Sequence, residues 1–250
     1  MPDFEDRNDA ISRRSLVQMA SGIALAASSA GAAGAQPAAN ADHGAVSSDQ
    51  PATAHKAMTT MRLPNIAPGE LTAEQRPLFE KLHSGVSEHL QGFVTQKPDG
   101  ALIGPFNALL HFPVYGTPAW DVFLALAGHS VLPKAAREVV ILATGARFGS
   151  LYELYSHEAL APKSGLTASK IRTLAAGERP SDLTDEEAMA YDVAAVLNRG
   201  HQVPNTTYTA AAAAFGVQGV AEIAYLVGCY AMISSLLNTF DVNLPGTELG

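Results

Sequence analysis

From Leu63 to Leu237 the apolar residues recur at helical spacing, and the alternation expected of a half-buried strand is essentially missing. An all-α body follows. Capping boxes mark two of its helix starts: Thr72-Ala-Glu-Gln75 opens a first helix running to about Leu90, and Thr184-Asp-Glu-Glu187 opens another running to Arg199. On the first of these, Leu78, Phe79, Leu82, Val86 and Leu90 share the buried face. Segment 92–120 is broken by Pro98, Pro105, Pro113 and Pro118, which predicts short helical turns and loops before a second helix at Asp121 to Gly128. Its aromatics Phe106, Phe112, Tyr115 and Trp120 are candidates either for the wall of a pocket or for plain core. Pro133 sits in the first turn of a third helix that runs to Phe148. Gly149 and Ser150 then interrupt the period, and a fourth helix continues to about Ala161, where Pro162 and Gly165 stop it. Thr167 starts a short helix, and Pro204 precedes one that ends near Phe215. The apolar run 217–237 is long enough for a membrane span. Glu222 within it and the absence of basic flanks favour a helix buried in the domain or in a subunit interface.

A hydrophobic fraction of 47% over 250 residues supports one large core or two small ones. The net charge of −8, with no cluster of Lys and Arg, excludes a nucleic-acid footprint. Cys229 is the sole cysteine, so an intramolecular disulfide and a CxxC redox pair are both excluded. Ahead of the body, Arg13-Arg14 precedes a weakly apolar Ala/Gly-rich run that ends in Ala33-Gly34-Ala35, the layout of a twin-arginine export signal. An anchoring transmembrane helix is the competing reading, but the run lacks a strong Leu/Ile/Val stretch. Residues 1–35 are therefore expected to be a signal peptide read by the twin-arginine export machinery, and 36–61 a flexible linker. The product is expected to be periplasmic or secreted, with no membrane span after cleavage. His43 and His55 in the linker have no Cys or His neighbours at ligand spacing, and no metal or other cofactor is expected.

Ionisable groups concentrate in the stretch 137–165, where Glu138, Glu153 and His157 stand in a chain with only 16% charged residues. Glu153 and His157 are four apart on one helix, which brings their Cβ atoms to about 5–6 Å. A carboxylate beside an imidazole raises its basicity and fixes its tautomer, as acid/base chemistry requires. On one continuous helix Glu138 would lie roughly 22 Å from Glu153 at 1.5 Å per residue. If the chain turns back at Gly149-Ser150, Glu138 lies about 16 Å from the turn and His157 about 12 Å, nearly level with each other. That hairpin makes His157 the centre, with one glutamate in sequence and one across the turn. Structural roles compete: Ser150-Leu-Tyr-Glu153 is itself a capping box, and Glu138 in a first helical turn also suits the helix dipole. A Ser-His-Asp arrangement is weaker, since no GxSxG elbow is present.

At this stretch the sequence resembles the carboxymuconolactone decarboxylase family, within the alkylhydroperoxidase D-like superfamily. The matching residues are Arg137-Glu138 followed by VVILAT, Tyr152-Glu153-x-x-x-His157, Ala161 and Gly165-Leu166, with GPFNALLHFP at 104–113 and a late Glu222 helix ending in Asn238 and Phe240. The likeness extends over most of 63–245, and residues 62–250 are taken as the domain. In the peroxidase branch two cysteines occupy the positions of Ser150 and Glu153, so the thiol pair is absent here while Glu138 and His157 are kept. In the decarboxylase branch a tryptophan is usual where Leu154 stands. The resemblance implies an all-α, alkylhydroperoxidase D-like domain that assembles as a homotrimer or homohexamer. It also implies a decarboxylase-like enzyme acting on a small organic acid or lactone, with His157, Glu138 and Glu153 catalytic. Arg137, Tyr152 and Trp120 are the candidates to hold the substrate, Arg147 being the alternative carboxylate clamp. Peroxide reduction and a non-catalytic helical binding module are the other two expectations.

Overall fold

The computed structural model describes residues 62–242 and 244–246; the expected signal at 1–35 and linker at 36–61 lie outside the described residues. Eight α-helices are present among them: α1 (Arg76–His89), α2 (Pro105–His111), α3 (Pro113–Gly128), α4 (Lys134–Phe148), α5 (Leu151–Leu160), α6 (Ala168–Ala175), α7 (Asp185–Asn198) and α8 (Asn205–Thr239). The described residues contain no strand beyond one isolated antiparallel bridge between Gln96 and Leu102. The all-α expectation holds.

Local chemistry accounts for most of the boundaries. Thr72 and Gln75 exchange side-chain bonds with each other's amides at 3.3 and 3.1 Å, and α1 follows with Leu78, Leu82 and Val86 buried. Thr184 and Glu187 close the second capping box at 3.3 and 2.9 Å. Thr167 caps α6 by accepting from the Lys170 amide. α4 ends at Gly149, whose φ of 60° is the left-handed conformation that stops a helix cheaply only at glycine. Gly216, at φ 68°, breaks α8 where the sequence separates a helix near Phe215 from the apolar run.

One boundary differs from expectation. The second helix begins at Pro113 rather than Asp121 and carries Pro118 inside it. Pro113 occupies the first turn, where its missing N–H is no loss. The bond that Pro118 removes falls on the turn of Val114 and Tyr115, which are 78% and 77% exposed, so water can serve the freed carbonyl. Gly116 completes the arrangement. A Cβ there would lie 2.3 Å from the Leu109 carbonyl oxygen, so only glycine lets α3 fold back tightly on α2.

α4 and α8 form the centre. α4 buries Val139, Val140, Ile141 and Leu142, a face too wide for a surface helix, between one layer made with α7 and α8 and another made with α6. α8 is long and apolar enough to cross a membrane by length and composition, yet Ile223, Leu226, Val227 and Tyr230 pack into the domain core here. A further core joins α1, α2, Trp120 and Tyr152 to the end of α8 at Ile233 and Leu237. Asn238 ties that end of α8 to the end of α4 by donating to the Phe148 carbonyl at 2.7 Å.

Candidate active site

The turn at Gly149 sends α5 back along α4. Gly145 faces α5, where even a Cβ would make an ordinary contact, 3.5 Å from the Glu153 Cβ. The hairpin delivers the expected register. His157 Nδ1 lies 2.9 Å from Glu138 Oε2, and His157 Nε2 lies 3.8 Å from Glu153 Oε2. All three side chains are buried.

The roles of the two glutamates separate at once. Glu138 accepts the Nδ1 proton of His157, which leaves Nε2 as the ring's basic nitrogen in the neutral state. Glu153 is too far from Nε2 for a hydrogen bond but close enough for its charge to act. The cap alternative for Glu153 is not realised: the Ser150 hydroxyl makes no cap bond, and the Ser150 amide donates to the Gly145 carbonyl. Burial pushes the Glu153 carboxyl above its ordinary 4.5, against the opposing pull of His157. Burial alone would depress the His157 imidazole. The charge and hydrogen bond of Glu138, with the charge of Glu153, outweigh that and the repulsion from Arg137, and hold it above its ordinary 6.5.

The Nε2 side opens on a cavity of about 140 Å³ whose polar end is His157, Glu153, Ser156 and Arg137. The remaining wall is apolar, with Phe93, Phe106, Trp120, Phe123 and Tyr230 prominent. This is the composition of a ligand site: apolar surface with a few convergent polar groups. Glu138 stands behind the imidazole rather than on the cavity wall, so it is placed to orient and charge His157 and not to touch a ligand.

The three side chains expected to hold substrate all border this cavity, each with a qualification. Tyr152 presents its ring, because its hydroxyl donates to the Val94 carbonyl at 2.9 Å, and burial pushes its phenol well up. Trp120 is 8% exposed, and its indole N–H has no protein acceptor. Arg137 is committed elsewhere: Nη1 donates to the Leu126 carbonyl at 2.8 Å and to Glu222 Oε1 at 3.1 Å. Arg147, the alternative clamp, is exposed in the last turn of α4 and absent from the cavity wall.

Besides Phe93, Phe123 and Ser156 on the wall, two further contributors were not anticipated from the sequence. Tyr230 packs edge-on against the His157 ring at 5.1 Å between centroids, closing one side of the imidazole. Its signal was available: Tyr230 follows Glu222 by eight residues, two helical turns, and so shares its inward face. Gly104 is the second. It adopts φ 63°, and a Cβ there would fall 2.2 Å from the Tyr152 ring, so glycine is what admits that ring beneath α2. Among the described residues no group of three His, Cys, Asp or Glu side chains is arranged to hold a metal ion.

No protein-family model matches the sequence, and no curated protein matches it. Solved structures do match the fold. An uncharacterized peroxidase-related protein with an alkylhydroperoxidase AhpD core, from Ralstonia eutropha JMP134, superposes with a TM-score of 0.60 at 18% identity, over 74% of this chain and 93% of that one. Another uncharacterized peroxidase-related protein, from Silicibacter sp. TM1040, gives 0.57 at 18% identity, over 80% of this chain and 98% of that one. A variant of the debrominase Bmp8 in complex with 2,3,4-tribromopyrrole gives 0.54 at 13% identity, over 70% of this chain and 90% of that one. The described domain has the AhpD-like helical fold.

Proposed function

We propose that this chain is a proton-transfer enzyme in which His157, oriented by Glu138 and flanked by Glu153, works on a small oxygenated organic molecule in the apolar cavity. The observation that carries this reading is the imidazole itself. Its Nδ1 is held by a buried carboxylate 2.9 Å away, and its Nε2 is left facing the cavity beside a second carboxyl. A bare Nε2 accepts a proton from a carbon acid or returns one to a carbanion, and Glu138 stabilises the imidazolium in between. In the finer, decarboxylase form of the proposal, the bond to a substrate carboxylate breaks, carbon dioxide leaves with neither electron of that bond, and the pair left behind forms an enolate. His157 then protonates the enolate carbon. The debrominase neighbour, solved with a small halogenated ring, supports a substrate of modest size for this fold.

Turnover against a panel of lactones and keto acids tests the proposal. His157→Gln is expected to abolish measurable turnover, a loss of at least about 10²-fold, with the helical circular dichroism unchanged; full activity in that variant contradicts it.

A second reading, peroxide reduction, draws support from the peroxidase-related neighbours. It requires a thiolate, and the chain offers only Cys229, whose thiol is pushed up by burial on α8 and does not border the cavity. Hydroperoxide reduction that vanishes in Cys229→Ser would establish this reading in place of the first. Assembly into a homotrimer or homohexamer remains part of the proposal. It is supported by the exposed apolar side chains of Tyr115 and Val122 on α3 and of Tyr225 and Met232 on α8.

A further inference from the structure

The cavity is narrow in what it can accept. At about 140 Å³ it is close to the size of apolar protein cavities of about 150 Å³ that take up benzene, so a single six-membered ring matches it better than two fused ones. Among the described residues its polar end holds no unpaired cation. Arg137 is paired with Glu222 at 3.1 Å and His157 with Glu138 at 2.9 Å, and the remaining ionisable group there, Glu153, is an acid. No uncompensated cation among the described residues lining the cavity is left to hold an anionic ligand.

One donor on the wall has no protein partner. The Trp120 Nε1–H is buried without an acceptor, a state that costs on the order of 1–3 kcal/mol unless a ligand supplies one. The indole is held in place. Phe106 meets it edge-on at 5.9 Å between centroids, Phe123 lies at 6.3 Å, and Gly85 sits beneath it, where a Cβ would come within 2.8 Å of the ring.

We propose that the site takes an uncharged single-ring ketone or lactone, whose carbonyl oxygen accepts the Trp120 Nε1–H and whose α-carbon faces His157 Nε2. The assignment rests on the proton-transfer reading for its imidazole end alone, and it stands against the decarboxylase form of that reading, whose substrate carries a carboxylate. His157 Nε2 takes the α-proton, the C–H electron pair moves into a carbon–carbon double bond, and the carbonyl electrons pass to the oxygen. The enolate oxygen keeps its hydrogen bond from Trp120, and the imidazolium returns the proton to carbon. No oxidant, reductant or further reactant is consumed.

Trp120 is the only tryptophan in the chain, so its fluorescence reports directly on occupancy. The test uses the full chain and three probes: cyclohexanone, cyclohexanecarboxylate and the fused-ring 2-decalone. Binding is read by Trp120 fluorescence and by calorimetry, and exchange of the cyclohexanone α-hydrogens for solvent deuterium by NMR. Cyclohexanone is expected to bind at least tenfold more tightly than the other two. Trp120→Phe, followed by calorimetry, should weaken it about tenfold, the loss of one hydrogen bond from a buried donor. Gly85→Ala should weaken it as well, by driving a methyl group against the indole, and this covers the case in which Trp120→Phe fails to fold. Equal binding of the carboxylate or of 2-decalone, or cyclohexanone binding unchanged in both variants, overturns the inference. Selective binding without deuterium exchange leaves the ligand assignment at Trp120 standing and refutes the proton-transfer reading and the step built on it. Exchange together with Trp120-independent binding does the reverse.

Discussion

Two buried carboxylates, Glu153 on the cavity wall and Glu222 bound to Arg137 behind it, are treated in opposite ways. Glu222 is saturated: it accepts from the Ser130 hydroxyl, from the Val131 and Leu132 amides at 2.8 and 3.2 Å, and from Arg137 at 3.1 Å. Glu153 receives no hydrogen bond among the described residues, and its nearest cationic partner, His157 Nε2, is 3.8 Å away. A carboxylate so well supplied joins the loop before α4 to α8 and to Arg137 and has little left for chemistry. One left unsupplied in an apolar cavity is poised to take a proton. The contrast separates the part of the polar cluster that holds the fold from the part that is free to act.

The comparison breaks most visibly at the imidazole. His157→Gln is expected to lower the rate of any proton transfer by about 10²–10⁴, the usual worth of a positioned acid/base group, with little change in stability. Steady-state rates and urea denaturation on the same preparation check both halves. The saturated side should behave in the opposite sense. Glu222→Ala strands Arg137 and three other donors, and a loss of about 3–5 kcal/mol in unfolding free energy is expected, read from the urea midpoint.

Glu153→Gln sharpens the contrast with a smaller effect of the opposite sign. Both Glu153 and His157 have folded-state affinities for protons raised above their unfolded values, so the native state binds more protons than the unfolded chain once pH exceeds the ordinary 4.5 of a glutamate. Stability contributed this way is present below 4.5 for Glu153 and below 6.5 for His157, and is lost as pH rises through each raised folded value. Glu153→Gln should therefore be more stable than the parent at pH 8 and flatten the decline of stability with pH; a loss at pH 8 contradicts this. The smallest effect is expected at Cys229→Ser: proton transfer unchanged, and stability lowered by no more than about 1 kcal/mol, since the side chain is a small apolar filler away from the cavity.

Much of the site was legible because it depends on local rules. A glycine that ends α4, a ten-residue α5 and the helical rise together place Glu138 level with His157, and nothing distant is needed. The ambiguity at Glu153 was also a local one, since a Ser-x-x-Glu start has the same spelling whether or not the cap forms. What escaped the sequence depends on which helices meet. Arg137 reads as a free cation until α8 brings Glu222 to it, and Tyr230 reads as one more apolar residue until its ring covers His157. Pro118 reads as a helix stop because the exposure of the Val114 turn cannot be known before α3 is packed. Tyr152 is the converse case: its motif marks it as functional, and the fold spends its hydroxyl on Val94.

The central claim is that Glu138 fixes the His157 proton on Nδ1 and leaves Nε2 bare toward the cavity. Nitrogen-15 NMR of histidine-labelled protein across a pH titration tests it directly. The account predicts a neutral His157 protonated at Nδ1, titrating above 6.5, with both signatures lost in Glu138→Gln. A neutral ring protonated at Nε2, or one titrating below 6.5 in the parent protein, would contradict it.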